Sequence, residues 1–237
     1  MTQDAPAESP EAATIELEHL RFTFPGGTFG LVMDSLSIRP RERVACIGAS
    51  GTGKTTLINI LTGIIVPEQG TVRLGADKVT AMGEPARRAL RIARVGMVFQ
   101  EFELLPYLTA LENILLPYHV SHMRLDRPAR ERAHMLASSA GISHTLARRP
   151  QRLSQGERQR IAICRALITS PAIVICDEPT GNLDPASSEA VLNLLFEQSA
   201  ARGATLLMVT HNHAILDRFD RVIDIEKLNN WQAGGAA

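Results

Sequence analysis

Eight consecutive residues, Gly48-Ala-Ser-Gly-Thr-Gly-Lys-Thr55, set glycines, a lysine and a hydroxyl at spacings that suit a polyphosphate. Glycine lets successive backbone N–H groups turn inward into a concave anion site. A helix that starts just beyond adds the partial positive charge of its N-terminus to the same point. In this pattern the Lys54 ammonium reaches the β- and γ-phosphates and the Thr55 hydroxyl holds Mg²⁺. Gly48, Ser50, Gly51, Thr52, Gly53 and Thr56 complete the cradle. The chain has only three lysines, Lys54, Lys78 and Lys227, among 25 Lys and Arg residues, so a lysine here points to a compact ammonium and not a broad fork. The plainer reading is a glycine-rich turn before a helix. The strand-like Arg43–Ile47 before it and the helix-like Thr55–Thr62 after it favour the cradle.

Further candidates stand at the ends of apolar runs. Ala172-Ile-Val-Ile-Cys-Asp177-Glu178 puts two carboxylates at the carboxyl end of a buried strand. Beside a cradle, Asp177 suits Mg²⁺ through water and Glu178 suits an attacking water in line with the γ-phosphate. By itself the pair is equally an exposed turn before Pro179. Gln100 follows the apolar run Val95–Phe99, where a neutral amide oxygen can complete a Mg²⁺ shell. His211 follows Thr205–Thr210 and is placed to touch the γ-phosphate and orient the water. Each of these two is an ordinary loop or structural residue if taken alone. Leu153-Ser154-Gln155-Gly156-Glu157 opens a helix far along the chain from Lys54. Ser154 and Gly156 there make a second anion site, although a plain helix cap by Ser154 is sound local chemistry too. One nucleotide does not need two γ-phosphate sites from one subunit, so the second is expected to serve a nucleotide held by another copy.

The elements that must position these groups are readable from periodicity. Ile15–Phe24 and Phe29–Ile38 read as strands of an antiparallel layer joined by Pro25-Gly26-Gly27. Gly70–Leu74, Val95–Phe99, Ala172–Cys176, Thr205–Val209 and Arg221–Ile225 read as further strands. Helices are predicted over Ala86–Arg91, Thr109–Val120, Arg127–Ala140, Gln155–Thr169 and Ser187–Arg202. Alternating strand and helix gives an α/β fold with a mostly parallel sheet and ligands beyond the strand carboxyl ends. The helices from about residue 103 to 157 form an insert. Residues 1–14 are expected as a disordered tail, 15–230 as one domain and 231–237 as a second tail.

Composition narrows the function classes. The 237 residues carry 25 basic and 25 acidic side chains, so no net charge argues for nucleic acid. No apolar run reaches the ~18 residues of a membrane span, and the acidic start reads as no secretory signal. Cys46, Cys164 and Cys176, set among aliphatics, read as reduced core residues of an intracellular protein.

The ordered set Gly48–Thr56, Gln100, Leu153–Glu157, Asp177-Glu178, Gly181-Asn-Leu-Asp184 and His211 resembles the nucleotide-binding subunit of an ABC transporter, over about residues 15–226. Phe99-Gln100 through Leu104-Leu105-Pro106, Leu108–Ile114 and Gly156-Glu-Arg-Gln-Arg160 are similar to one subgroup. It contains the ATPases of lipoprotein-releasing and macrolide-export systems and of the cell-division ABC complex. The resemblance implies a P-loop NTPase with a RecA-like sheet, an antiparallel layer and an inserted helical subdomain. It also implies an ATPase that forms a head-to-tail homodimer on two ATP with Mg²⁺ and drives a separate transmembrane permease. Such a subunit is cytoplasmic, peripheral on the inner face of the cell membrane. Ser154 and Gly156 of one copy cover the γ-phosphate held by Ser50–Thr56 of the other. Glu178 activates water, His211 fixes it, and Asp184 links the two sites. The loop at Gln100 and the groove near Leu104–Leu116 pass the motion on. The residue aligned with the adenine-stacking aromatic is Phe24, with Phe22 as the fallback. The sequence departs from the family at Gln155, where the signature usually has glycine.

Other readings fit less of the sequence. A guanine-reading GTPase needs Asn-Lys-x-Asp, and no lysine here follows an asparagine. A kinase leaves Leu153–Glu157 without a role, and soluble ABC ATPases of repair or translation carry long coiled coils or two ATPase halves. The basic run Arg124, Arg127, Arg130 and Arg132 reads as a solvated helix face before an anionic-lipid contact. A switch that controls an extracytoplasmic enzyme through its permease, without cargo, shares the same ATP site and stays open.

Overall fold

The computed structural model describes residues 14–24, 26 and 29–231. Strands Ile15–Thr23 (β1), Gly30–Ile38 (β2) and Arg43–Ile47 (β3) lead to helix Lys54–Leu61 (α1). Strands Gln69–Leu74 (β4) and Asp77–Lys78 (β5), helix Glu84–Arg94 (α2) and strand Val95–Val98 (β6) follow. Helices Ala110–His119 (α3), Arg127–Ser139 (α4) and Gln155–Leu167 (α5) precede strand Ile173–Asp177 (β7). Helix Pro185–Ala201 (α6), strands Thr205–Val209 (β8) and Arg221–Asp224 (β9) and the short helix Ile225–Leu228 (α7) complete the order. The turn at Pro25–Gly27 lies outside the described residues except for Gly26. Of the two expected tails, only Thr14 and Trp231 are described.

Two sheets make the frame. One is antiparallel, in the order β2-β1-β4-β5; the other is parallel, in the order β6-β7-β8-β3-β9. The central strands of the parallel sheet are apolar except at one end, at Arg43, Asp177 and Thr205, because both faces are covered. Val44, Cys46, Ile173, Ile175, Leu207 and Val209 pack toward α1 and the antiparallel sheet. Ala45, Val174, Cys176, Leu206 and Met208 pack toward α3, α5 and α6. The period of two thus sends alternate residues of one strand into two cores, each buried aliphatic contributing about 1.5–3 kcal/mol.

The antiparallel layer solves a register problem visible in the sequence. Ile15 and Leu17 face inward, but Leu20 can do so only if Glu18-His19 are absorbed as an extra residue. The β1–β4 register shifts there, His19 takes φ 50°, and Gly70 lies opposite. A Cβ at Gly70 would come within 2.7 Å of the Glu18 and His19 carbonyl oxygens, so the bulge requires glycine.

Helix ends are set by local chemistry. Thr109 and Ser154 form capping boxes with Glu112 and Glu157 at the starts of α3 and α5. Asp126 and Asp184 cap α4 and α6. The exposed, arginine-rich α2 docks through its charges: Arg87 Nε donates to Gly63 O at 3.0 Å and an Arg91 guanidinium nitrogen to Thr62 O at 3.2 Å. These bonds satisfy carbonyls at the end of α1. In all, this is an α/β P-loop NTPase fold with a helical insert.

Candidate active site

The parallel strands β3, β7 and β8 end on one side of the sheet, and the phosphate loop, the Asp177-Glu178 pair and His211 follow those ends. The loop Gly48–Gly53 leaves β3 and enters α1. Gly53 caps α1 with φ 97°, and a Cβ on it would meet the Phe29 ring at 2.7 Å and Leu31 at 2.9 Å. Glycine is therefore needed both for the turn and for the approach of the antiparallel layer. Thr52 Oγ1 donates to Ala49 O at 2.9 Å and tightens the loop. Lys54 is only 8% exposed and arches back, its Nζ donating to Gly48 O at 2.9 Å and Ala49 O at 2.7 Å.

Phe24, Phe29, Ser50, Gly51, Gly53, Lys54, Thr55, Thr56 and Glu178 line one groove of about 290 Å³. Its walls come from both sheets. Phe24 packs edge-on against Phe22 at 5.0 Å between centroids and tilted against Phe29 at 5.8 Å. Phe24 is open to the groove at 37% exposed, while Phe22 lies outside it.

Behind Lys54, Thr55 Oγ1 donates to Asp177 Oδ2 at 2.8 Å. Burial raises the Asp177 pKa above its usual 3.8; the Thr55 hydroxyl and Lys54 pull it down, and neighbouring Glu178 pushes it up. Glu178 takes φ 46°, with its N–H donating to Val209 O at 3.0 Å. That left-handed step carries its carboxylate into the groove and sets Oε2 3.0 Å from His211 Nδ1. A hydroxyl and a carboxylate in direct contact are the oxygen donors that a hard divalent cation takes.

Gln100 stands just outside this groove. Its side-chain Nε2 would be 3.1 Å from a Cβ at Gly181, and its backbone carbonyl accepts from Asn182 Nδ2 at 3.2 Å. The loop beyond it takes two consecutive left-handed residues, Phe102 at φ 62° and Glu103 at φ 48°. Arg165 of α5 donates to both of their carbonyls, at 2.7 Å for Phe102 O. Burial lowers the Arg165 pKa to about 10.

Ser154, Gly156 and Asp184 form a separate polar face. Ser154 Oγ accepts from Glu157 N at 3.2 Å, and Glu157 Oε2 accepts from Ser154 N at 2.7 Å. That backbone bond is the main cause that holds the Glu157 carboxyl below its ordinary range, with His144 adding to it. Gly156 lies against Ser187, a Cβ there falling 3.1 Å from Ser187 Oγ, so the N-termini of α5 and α6 are neighbours. Gln155 is exposed, occupies the first position of α5 and has no left-handed backbone, so the helix does not demand glycine there.

Sequence reasoning missed Phe29, which it counted as the first residue of a strand; its place after a glycine turn, facing Phe24, was the available signal. Gln159 was missed too: fully buried, it donates from Nε2 to Pro179 O at 2.6 Å and ties α5 to the turn after Glu178.

Residues 32–181 match the family model described as ABC transporter. The chain belongs to that family. This ABC ATP-binding subunit is 40% identical to the lipoprotein-releasing system ATP-binding protein LolD of Pseudomonas syringae pv. tomato, over 91% of this chain and 96% of that one. It is 38% identical to the protein of the same name from Xanthomonas oryzae pv. oryzae, over 95% of this chain and 94% of that one. Among solved structures it is similar to a dimeric ATP-binding cassette in a post-hydrolysis state bound to ADP and Pi. That match has a TM-score of 0.79 and 30% identity, covering 89% of this chain and 93% of the other. The ABC subunit binds and hydrolyses ATP. No helix among the described residues is long and apolar enough to cross a membrane.

Proposed function

We propose that this ABC ATPase closes as a head-to-tail homodimer on two ATP, in a lipoprotein-releasing type of export system. It works at the inner face of the cell membrane beneath a separate transmembrane permease. The separation of polar groups within one chain carries the reading. Ser50–Thr56, the Phe24–Phe29 pair and Glu178 share a groove, with His211 reaching it through Glu178, while the helix-capping face of Ser154, Gly156 and Asp184 stands apart from it. Two copies related head to tail bring one face over the other groove. The dimeric cassette structure and the lipoprotein-releasing relatives support this arrangement.

Within each composite site, Phe24 and Phe29 take the base. The Lys54 ammonium and the N–H groups from Ser50 to Thr56 take the β- and γ-phosphates. Mg²⁺, which Thr55 Oγ1 and Asp177 fit and Gln100 would join, supplies charge neutralisation at the phosphate oxygens when bound. Glu178 accepts the proton of the attacking water, and His211 holds the Glu178 carboxylate in place while facing the γ-phosphate. Ser154 Oγ and the N-terminus of α5 from the second copy stabilise the γ-phosphate. Asp184 ends the turn that leads from Glu178 toward the opposite site. After hydrolysis, repulsion between ADP and phosphate loosens the dimer.

Movement leaves through the loop that Arg165 holds. An apolar groove of about 310 Å³, lined by Met97, Phe99, Leu116, Pro117, Val120 and Arg165, adjoins that loop and is the proposed seat of the permease. The test is reconstitution in liposomes with a candidate transmembrane permease of the lipoprotein-releasing type. ATP-dependent release of a lipid-anchored protein is expected. ATP turnover with no release, together with activation of an extracytoplasmic hydrolase, would contradict it.

A further inference from the structure

β2 is the edge strand of the antiparallel sheet, so its outer N–H and C=O groups need partners. Those of Gly30 and Val32 find them in the segment after α7. Asn229 Oδ1 accepts from Val32 N at 3.0 Å and Asn229 Nδ2 donates to Gly30 O at 3.0 Å. Asn230 N donates to Val32 O at 2.8 Å. An amide side chain here does the work of a paired strand. Trp231 then lies on Gly30, where any Cβ would collide with its ring. Its indole N–H is buried with no acceptor among the described residues, and the ring is held by packing on Gly30.

The start of the same segment grips the phosphate loop. Glu226 Oε1 accepts from Ala49 N at 2.6 Å, and Ile225, fully buried, lies under Gly48, where a Cβ would meet it at 2.6 Å. Asp224 caps the turn between the two ends of the segment. Residues 225–231 therefore touch Gly48-Ala49 of the parallel layer and Gly30–Val32 of the antiparallel layer. Those layers carry the phosphate loop and the aromatic platform respectively, and Gly30 follows Phe29 directly.

We propose that Ile225–Trp231 is a strap that sets the spacing between base platform and phosphate loop, with Asn229 and Trp231 as positioning residues for the base. The inference rests on the groove of Phe24, Phe29 and Lys54 being the nucleotide seat. A strap of this kind raises the fraction of molecules whose two half-sites are correctly spaced. Loss of it weakens ligands that span both halves and spares a ligand that uses the phosphate half alone. Trp231 is the single tryptophan of the chain, so its emission reports on its contact with Gly30, the residue after Phe29.

The experiment compares MgATP with magnesium tripolyphosphate by calorimetry, on the native chain and on Asn229→Ala, Asn229→Asp and Trp231→Phe. Asn229→Ala is expected to weaken MgATP about 5- to 20-fold and tripolyphosphate less than about twofold. Its kcat at saturating ATP stays within about twofold of native, so the loss appears in KM. Asn229→Asp keeps the acceptor for Val32 N–H but turns a carboxylate oxygen toward Gly30 O, so it is expected to weaken MgATP at least as much as Asn229→Ala, again sparing tripolyphosphate. MgATP shifts the native emission, tripolyphosphate does not, and Trp231→Phe removes the signal. Equal weakening of both ligands, no weakening, or an emission unmoved by MgATP would overturn the strap. If Asn229→Ala does not fold, Asn229→Asp is judged by the same ligand comparison. A native chain that bound neither ligand would overturn the seat itself. Native binding with unaffected variants would overturn the strap alone.

Discussion

Glu178 Oε2 lies 3.0 Å from His211 Nδ1, although the two residues follow different strands, β7 and β8. The contact depends on the left-handed backbone of Glu178 and on its N–H bond to Val209 O. A carboxylate held this way by a histidine, in the same groove as Lys54, is placed to accept a proton from water. Glu178→Gln is isosteric and removes that basicity. Turnover is expected to fall about 10²- to 10⁴-fold with ATP affinity retained, read by phosphate release and calorimetry. Unchanged turnover would take the role away from Glu178.

Ser154 has two separable duties. As the cap of α5 it contributes about 1 kcal/mol, so Ser154→Ala should lower Tm by about 2–4 °C. Ser154→Asp keeps a good cap but sets a carboxylate against the expected γ-phosphate. Its Tm should stay near the native value while turnover is lost; full turnover in that variant would confine Ser154 to capping.

Mixed dimers test which copy supplies which half. Lys54→Ala chains paired with Ser154→Ala chains should contain one site with both defects and one with neither. Such dimers are expected to retain nucleotide in a single site, measured by trapping on tagged heterodimers. If each chain completes its own site, both sites are damaged and no intact site survives.

Asp177 gives a pH signature. Burial raises its folded-state pKa above 3.8, so the native state holds the proton more tightly than the unfolded chain. Its contribution to stability is then fullest below that value and is lost as pH rises through the raised pKa. Asp177→Asn should therefore raise the Tm of the nucleotide-free protein at neutral pH, with the gain shrinking toward about pH 4. Added MgATP should raise the native Tm more than the variant's, reversing the order. A variant equally stabilised by MgATP would remove Asp177 from the metal site.

The cradle and the paired carboxylates were legible because one short pattern specifies them: glycines at fixed spacing after a β-branched strand, and acids at the end of another. Strands of the parallel sheet are legible because adjacent residues such as Val174 and Ile175 are both apolar, one for each core. Features that depend on distant partners were not legible. Nothing local shows that Gly30 is glycine because Trp231 lies on it, or that Glu226 caps the Ala49 N–H. The two-residue β5 is too short to show a period, and α2 carries arginines whose partners are the carbonyls of α1. Gln100 could be named from its position after β6, but its neighbour Gly181 comes from a turn far along the chain.

Two copies of this chain are expected to enclose each ATP. The direct measurement is the molecular mass of Glu178→Gln in solution by light scattering, with and without MgATP. A monomer that becomes a dimer only with MgATP is the expected result. A chain that stays monomeric at saturating MgATP would contradict the account.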